Sequence, residues 1–174
     1  VDLAQKGFYD GTTFHRVIAG FMIQGGDPNT RDASAPRGQH GTGGPGYTIP
    51  CECYRPDHRL HFRGSLSMAH SGQPNSGGSQ FFLTFVPTPW LNKQHTVFGR
   101  VVEGLQVLEN LQRRDPEAAS PPAPDKIIKA EVLPWKVLVE LGSESAARDR
   151  GLLAIEGRDA VVNDGDVIRF KFRS

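Results

Sequence analysis

One arginine and two glutamines sit among apolar neighbours where chemistry could be done. Arg16 lies in Phe14-His15-Arg16-Val17-Ile18, Gln24 closes Phe21-Met22-Ile23-Gln24, and Gln80 opens Gln80-Phe81-Phe82-Leu83-Thr84-Phe85. Alternate residues of an extended chain share a face. Arg16 is therefore expected beside Phe14 and Ile18, opposite His15 and Val17; Met22 pairs with Gln24, and Gln80 with Phe82 and Thr84. Phe81, Leu83 and Phe85 then point to an interior, and Phe82 to the other face. A guanidinium and two amides among Phe and Met make an odd core. They suit a shallow apolar groove with a few directed hydrogen-bond donors.

Other chemistries find less support. Cys51 and Cys53 stand in a Cys-x-Cys arrangement with His58 and His61 nearby, so zinc is conceivable. The spacing is poor for a disulfide, and reduced, inert thiols in a cytoplasmic protein are the simpler reading. His15, His40, His58 and His61 read as structural or exposed. The glycine-rich stretch 41–46 lacks the Lys-Ser/Thr pair and helix start of a phosphate loop. Lys and Arg total 20 against 19 Asp and Glu, a formal net charge of +1, which argues against a nucleic-acid or anionic-membrane binder. No stretch approaches the roughly 18 apolar residues of a membrane span, so the expectation is a soluble chain. It opens on Val1, which predicts an upstream segment.

The elements that must position these residues are mostly strands. Residues 1–8 read as the end of a helix. Residues 12–24 alternate β-formers around Ala19-Gly20, two strands and a tight turn. Residues 25–50 form a long loop, and strand-like runs return at 64–70, 80–86 and 96–102. Between them lie loops at 71–79 and 87–94. Leu105, Val107, Leu108 and Leu111 predict an amphipathic helix over 103–114. Four prolines exclude regular structure from 116–125, and 126–133 closes this unit as a strand. In the last 40 residues Ser143 is placed to cap a helix that Gly151 stops. Strand patterns follow at 152–156 and 167–172, with a turn at Asn163-Asp164-Gly165. The 20 glycines and 13 prolines promise a loop-rich fold of one domain with a short appendage.

Five ordered runs, FHRVIAGFMIQGGDP, GTGGPGYTIPCE, GSLSMAHSG, NSGGSQFFLT and WLNKQHTVFGRVVEG, resemble the cyclophilin family of peptidyl-prolyl cis–trans isomerases. The resemblance covers residues 1–134. It implies a mainly β fold, an antiparallel β-barrel capped by helix with a proline-binding groove on its outer face. It also implies action on proline-containing peptides and unfolded proteins, cyclosporin-type inhibition, no cofactor, no metal and a monomer. Position by position, Arg16 matches the catalytic arginine. Gln24 and Gln80 match the polar residues that orient Arg16 and the substrate backbone. Phe21, Met22, Phe82 and Leu91 match the proline-pocket walls, Trp90 the residue beside cyclosporin, and His95 the rim. The family often has Ala-Asn-Ala where this chain has Ala69-His70-Ser71, an edge that holds substrate backbone.

These residue types make physical sense. Rotation about an X–Pro bond takes tens to hundreds of seconds uncatalysed because amide resonance must be lost. The twisted transition state has a pyramidal prolyl nitrogen with a lone pair. A fixed guanidinium gains a hydrogen bond there and little from the planar ground state.

Two departures accompany the resemblance. The strand pair and most of the helix with which family members begin precede the point where this chain starts. Residues 135–174, with GSESAARDRG and EGRDAVVNDGDVIRFKF, resemble the C-terminal end of the Obg-like (YchF-type) ATPases, part of a TGS-type β-grasp domain. The expected organisation is a cyclophilin-like unit over 1–134, incomplete at its N-terminus, followed by a small α+β segment. The rival readings are a module that binds proline loops without turnover and a poorly folded fusion fragment.

Overall fold

The hairpin expected around Ala19 and Gly20 forms in the computed structural model of the chain, which describes residues 1–133 and 167–173. Strand β1 (Arg16–Ile18) turns back into β2 (Met22–Gly25), with Ile18 opposite Met22. Gly20 sits at the turn with φ +65°, a left-handed conformation that costs glycine nothing. β3 (Ser65–Met68), β4 (Phe81–Thr84) and β5 (Val97–Arg100) complete a five-stranded antiparallel sheet in the order β1-β2-β4-β3-β5. Each strand is shorter than its sequence pattern suggests. A register shift between Leu66 and Ser67 interrupts the β3–β5 ladder.

Strand register assigns the faces, since cross-strand partners project to the same side. Arg16, Gln24, Phe82 and Ser67 are successive partners across β1, β2, β4 and β3. Val17, Ile23, Leu83 and Leu66 form the neighbouring row on the opposite face. Val17, Ile23, Phe81 and Leu83 are buried there, as the alternation of β4 predicts.

Phe14 corrects the alternation at β1. It was expected beside Arg16, yet its ring packs edge-on to Phe81 at 6.4 Å and presses against Gly25, residues of the interior face. The ladder begins only at Arg16. Before it, Thr13 bridges Lys126 and Phe14 N donates to Asp125 O at 3.0 Å, so period-two counting does not extend back through His15.

The helix expected over 103–114 is reduced to α2 (Leu105–Glu109). Gly104, with φ +81°, delays its start. Its C-terminal side is drawn into extended pairing, for Val17 N donates to Arg114 O at 2.8 Å and Arg114 N to Val17 O at 2.9 Å. The 25–50 loop carries two 3-10 turns, Pro28–Arg31 and Arg37–Gln39.

Backbone contacts divide the chain into two units, Thr12–Lys126 and a second built from Val1–Gly11 with Ile127–Arg173. The first holds the five-stranded sheet. In the second, α1 (Asp2–Gln5) leads into a turn. Gly11 N then donates to Ile127 O at 2.8 Å, and Asp10 Oδ1 accepts from Ala130 N at 2.9 Å. Strand β6 (Lys126–Leu133) pairs with β7 (Val167–Arg173), the latter matching the strand expected at 167–172. The helix capped by Ser143, the strand at 152–156 and the Asn163-Asp164-Gly165 turn lie outside the described residues.

Candidate functional site

The face that carries Arg16 also carries the apolar groove. Met22, Ala69 and Phe82 form a buried cluster, and Ile18, Phe21 and Leu91 pack against it while half-exposed. The shared face of three of these six side chains follows from register: Ile18 partners Met22, and Phe82 lies two positions along β4 from Met22's partner Thr84. Phe21 lies in the hairpin turn, and Leu91 arrives on the 3-10 turn Pro89–Leu91. Trp90, 57% exposed, tilts over Phe21 with centroids 6.1 Å apart.

At the polar end, Arg16 is half-buried and paired across the ladder with Gln24. Gln24 Nε2 donates to Gln80 Oε1 at 3.0 Å, and Gln80 Nε2 donates to the Gly43 carbonyl at 2.9 Å. With its amide nitrogen turned to Gln80, Gln24 keeps a carbonyl oxygen able to accept from a guanidinium.

At the opposite end Phe82 is framed by imidazoles. His61 stacks parallel on it at 5.9 Å, and His95 meets it edge-on at 5.3 Å. His95 Nδ1 lies 3.0 Å from the Met68 carbonyl, which can only accept, so this nitrogen carries the proton. Burial holds the His95 imidazole below its ordinary pKa; the Met68 carbonyl opposes that, and His70 and His61 add to it. His70 stacks on His95 at 4.1 Å. Its Nδ1 accepts from Gly72 N at 3.0 Å and its Nε2 meets Gln94 O at 2.7 Å. Ser71 is exposed and bonds within its own loop, its N–H to Ser76 Oγ at 3.1 Å. Ala69 N donates to Gln80 O at 3.0 Å, tying this edge to β4.

The structure thus gathers Arg16, Gln24, Phe21, Met22, Ala69, Gln80, Phe82, Trp90, Leu91 and His95 on one side of the sheet. His70 joins through His95, and Ser71 stands at the margin. Sequence reasoning read His61 as structural or exposed and gave it no part in the groove; it is only 2% exposed. Its backbone N and Nδ1 both donate to Asn92 Oδ1, at 2.9 and 3.0 Å, and its Nε2 lies 3.0 Å from Ser67 Oγ. Burial pushes its pKa down, against a smaller opposing effect of Asn92. Asn92 lies 31 residues along the chain, too far for spacing to reveal the pairing. Asp27 was also missed, although Asp before Pro at the head of a helical turn is a capping signal.

A separate cavity of about 240 Å³ is lined by Glu52, Cys53, Arg55, Asp57, His58, Arg59 and Thr96 to Phe98, and shares no residue with the groove. It is polar and charged, the reverse of a pocket for an apolar ring. Cys51 and Cys53 are free thiols, and burial raises the pKa of Cys53. Among the described residues no three His, Cys, Asp or Glu side chains converge as metal ligands, so the zinc alternative finds no ligand set there.

Comparison with known proteins bears on the groove. Residues 1–132 match the family described as cyclophilin type peptidyl-prolyl cis-trans isomerase. Residues 124–173 match the C-terminal YchF GTPase type, described as a protein of unknown function. The chain is 52% identical over 113 residues to peptidyl-prolyl cis-trans isomerase B of Bacillus subtilis, covering 65% of this chain and 71% of that one. It is 51% identical over 117 residues to a peptidyl-prolyl cis-trans isomerase of Helicobacter pylori, covering 66% and 65%. Among solved structures it resembles a cyclophilin type isomerase of Cryptosporidium parvum determined in the presence of the dipeptide Ala-Pro. That likeness has a TM-score of 0.56 and 37% identity over 70% of this chain and 74% of that one. The mainly β architecture, the groove on one face of the antiparallel sheet and these matches agree: the chain belongs to the cyclophilin type peptidyl-prolyl cis-trans isomerases, a family of enzymes.

Proposed function

We propose that this chain catalyses rotation about X–Pro peptide bonds in flexible or unfolded protein segments, with Arg16 as the catalytic group. The observation that carries the reading is the row Arg16–Gln24–Phe82, which sets a guanidinium and its orienting amide beside an apolar pocket. Phe21, Met22, Phe82 and Leu91 hold the proline ring while the preceding residue turns. As the amide twists, the prolyl nitrogen gains a lone pair, and Arg16 donates to it. That hydrogen bond exists only near the transition state, so it lowers the barrier rather than tightening binding. Ala69, His70 and Ser71 line the edge where substrate backbone runs. His95 closes the rim, and Trp90 offers the surface for a cyclosporin-type ligand. The free thiols of Cys51 and Cys53 suit a reducing, cytoplasmic compartment.

The test is NMR exchange between cis and trans forms of a short X–Pro peptide with catalytic amounts of the chain. Acceleration is expected, and Arg16→Ala should reduce it by about 10² or more, the usual cost of removing one transition-state donor. Peptide binding should change little. No acceleration by the unaltered chain, or full activity in Arg16→Ala, overturns the reading. We further infer that the segment over 135–174 is related to the β-grasp end of the Obg-like ATPases. Its support is the match over 124–173 and the β6–β7 pairing.

A further inference from the structure

Asp27 follows the two glycines after Gln24 and is wholly buried. A buried carboxylate is costly unless hydrogen bonds satisfy it. This one accepts three backbone N–H groups. Asn29 N reaches Oδ1 at 2.8 Å, capping the turn Pro28–Arg31, while Gly41 N and Gly43 N reach Oδ2, the latter at 3.3 Å. Two of the three donors therefore come from the glycine-rich loop.

That loop supplies the carbonyl on which the site's glutamines depend. Gly43 O accepts Gln80 Nε2. A carbonyl can only accept, so the Gln80 amide must present its nitrogen to Gly43 and its oxygen to Gln24. Gln24 must in turn give its nitrogen to Gln80, which leaves its oxygen for the guanidinium across the ladder. If the Gly43 carbonyl moves away, both amides are free to flip, and Gln24 can turn an N–H donor toward a cation.

We propose that Asp27 is a positioning residue for the isomerisation: it grips the N–H groups of Gly41 and Gly43, fixes the Gly43 carbonyl, and so sets the polarity of the Gln80–Gln24 amide chain beside Arg16. The proposal rests on the reading of Arg16 as the catalytic group. It also explains why position 43 is glycine. A Cβ there would overlap Asp27 Oδ1 and lie 2.9 Å from Asn29 Cγ, whereas a Cβ on neighbouring Gly44 meets nothing within 4 Å.

Two adjacent substitutions in the full chain separate this role from general loop stability. Gly43→Ala should lower kcat about tenfold with KM within twofold, because ground-state contacts with the peptide remain. Gly44→Ala should stay within twofold of the unaltered chain in both. The side-chain NH₂ resonances of Gln80 and Gln24 should shift in Gly43→Ala and not in Gly44→Ala. Asp27→Asn, nearly isosteric but without the second acceptor oxygen, should reproduce the Gly43→Ala pattern and decides the matter if Gly43→Ala does not fold. Unchanged glutamine resonances in a folded Gly43→Ala or Asp27→Asn variant overturn the proposal, as does an equal loss of activity in Gly44→Ala. If the unaltered chain does not accelerate X–Pro exchange, the reading of Arg16 fails, while the resonances still report whether Asp27 orders the glutamines.

Discussion

Lowering the pH should unfold this protein through His15. The side chain is 6% exposed, and neither ring nitrogen makes a well-formed hydrogen bond. Burial is the main cause that lowers its pKa from 6.5 to about 4; Asp27 and a weak contact with the Thr13 backbone oppose this, while His40 and Arg16 add to it. Between these two values the unfolded chain binds the proton and the folded chain does not, so stability rises with pH across that window. The neutral-imidazole contribution is complete above pH 6.5, is lost as pH falls toward 4, and changes no further below it. At about 1.4 kcal/mol per unit, the loss is about 3 kcal/mol, a large fraction of the roughly 5–15 kcal/mol that keeps a domain folded. Urea unfolding of the wild-type chain and of His15→Leu, run from pH 7 to pH 4, isolates the effect. Leucine is close to imidazole in volume and leaves no polar atom unpaired, so at pH 7 the variant should lie within about 1.5 kcal/mol of wild type. By pH 4 wild type should have lost about 3 kcal/mol relative to the variant. Parallel stability curves for the two proteins would refute the reasoning, because other groups that titrate here, among them His61 and His95, are common to both.

Two substitutions test the sheet that carries the groove. Thr84 is fully buried, and its hydroxyl accepts from Ser65 N at 3.0 Å while donating to Phe62 O at 2.5 Å. Thr84→Val keeps the shape and strands both partners, so it should cost about 1–3 kcal/mol in urea unfolding; a neutral result would mean that Ser65 and Phe62 find other partners. Gly26, with φ +86°, has Ser79 O 2.5 Å and a Phe81 ring carbon 3.0 Å from where a Cβ would sit. Gly26→Ala should lower the melting temperature more than Gly20→Ala, whose equally left-handed backbone meets no neighbour.

Much of the sheet was legible because its signals are local. The β1–β2 hairpin announces itself through Ala19-Gly20 and the apolar runs on either side. The interior of β4 follows from Phe81 and Leu83. Alternation misled at Phe14 because a strand's period holds only within its ladder, and the ladder starts at Arg16. The helix at 103–114 shrank because the Val17–Arg114 pairing, 97 positions apart in sequence, outweighed local propensity. At the site, composition alone suggested an apolar groove with directed donors, and the assignment of individual residues came through family resemblance. Nothing local places Gln24 beside Gln80, 56 residues away, or His61 beside Asn92, 31 residues away. Those contacts exist only once register and loop path are set.

In the proposed mechanism the two ends of the groove answer two separate demands of the reaction. Gripping the proline ring equally in planar and twisted states tightens binding without raising kcat; only an interaction absent from the ground state speeds the rotation. The apolar end does the first, and its shape depends on Phe82 held between His61 and His95. His61 reaches from β3 through Ser67 to Asn92, next to Leu91, so one buried neutral imidazole sets the distance between two pocket walls. The polar end does the second, and what matters there is the direction of dipoles around Arg16, ordered through Gln24, Gln80 and the Asp27-held loop. Because the two supporting networks share no residue, damage to one should be felt chiefly in KM and damage to the other chiefly in kcat. On that mechanism, substitutions at the His70–Ser71 edge should change peptide preference without disturbing the catalytic role proposed for Arg16.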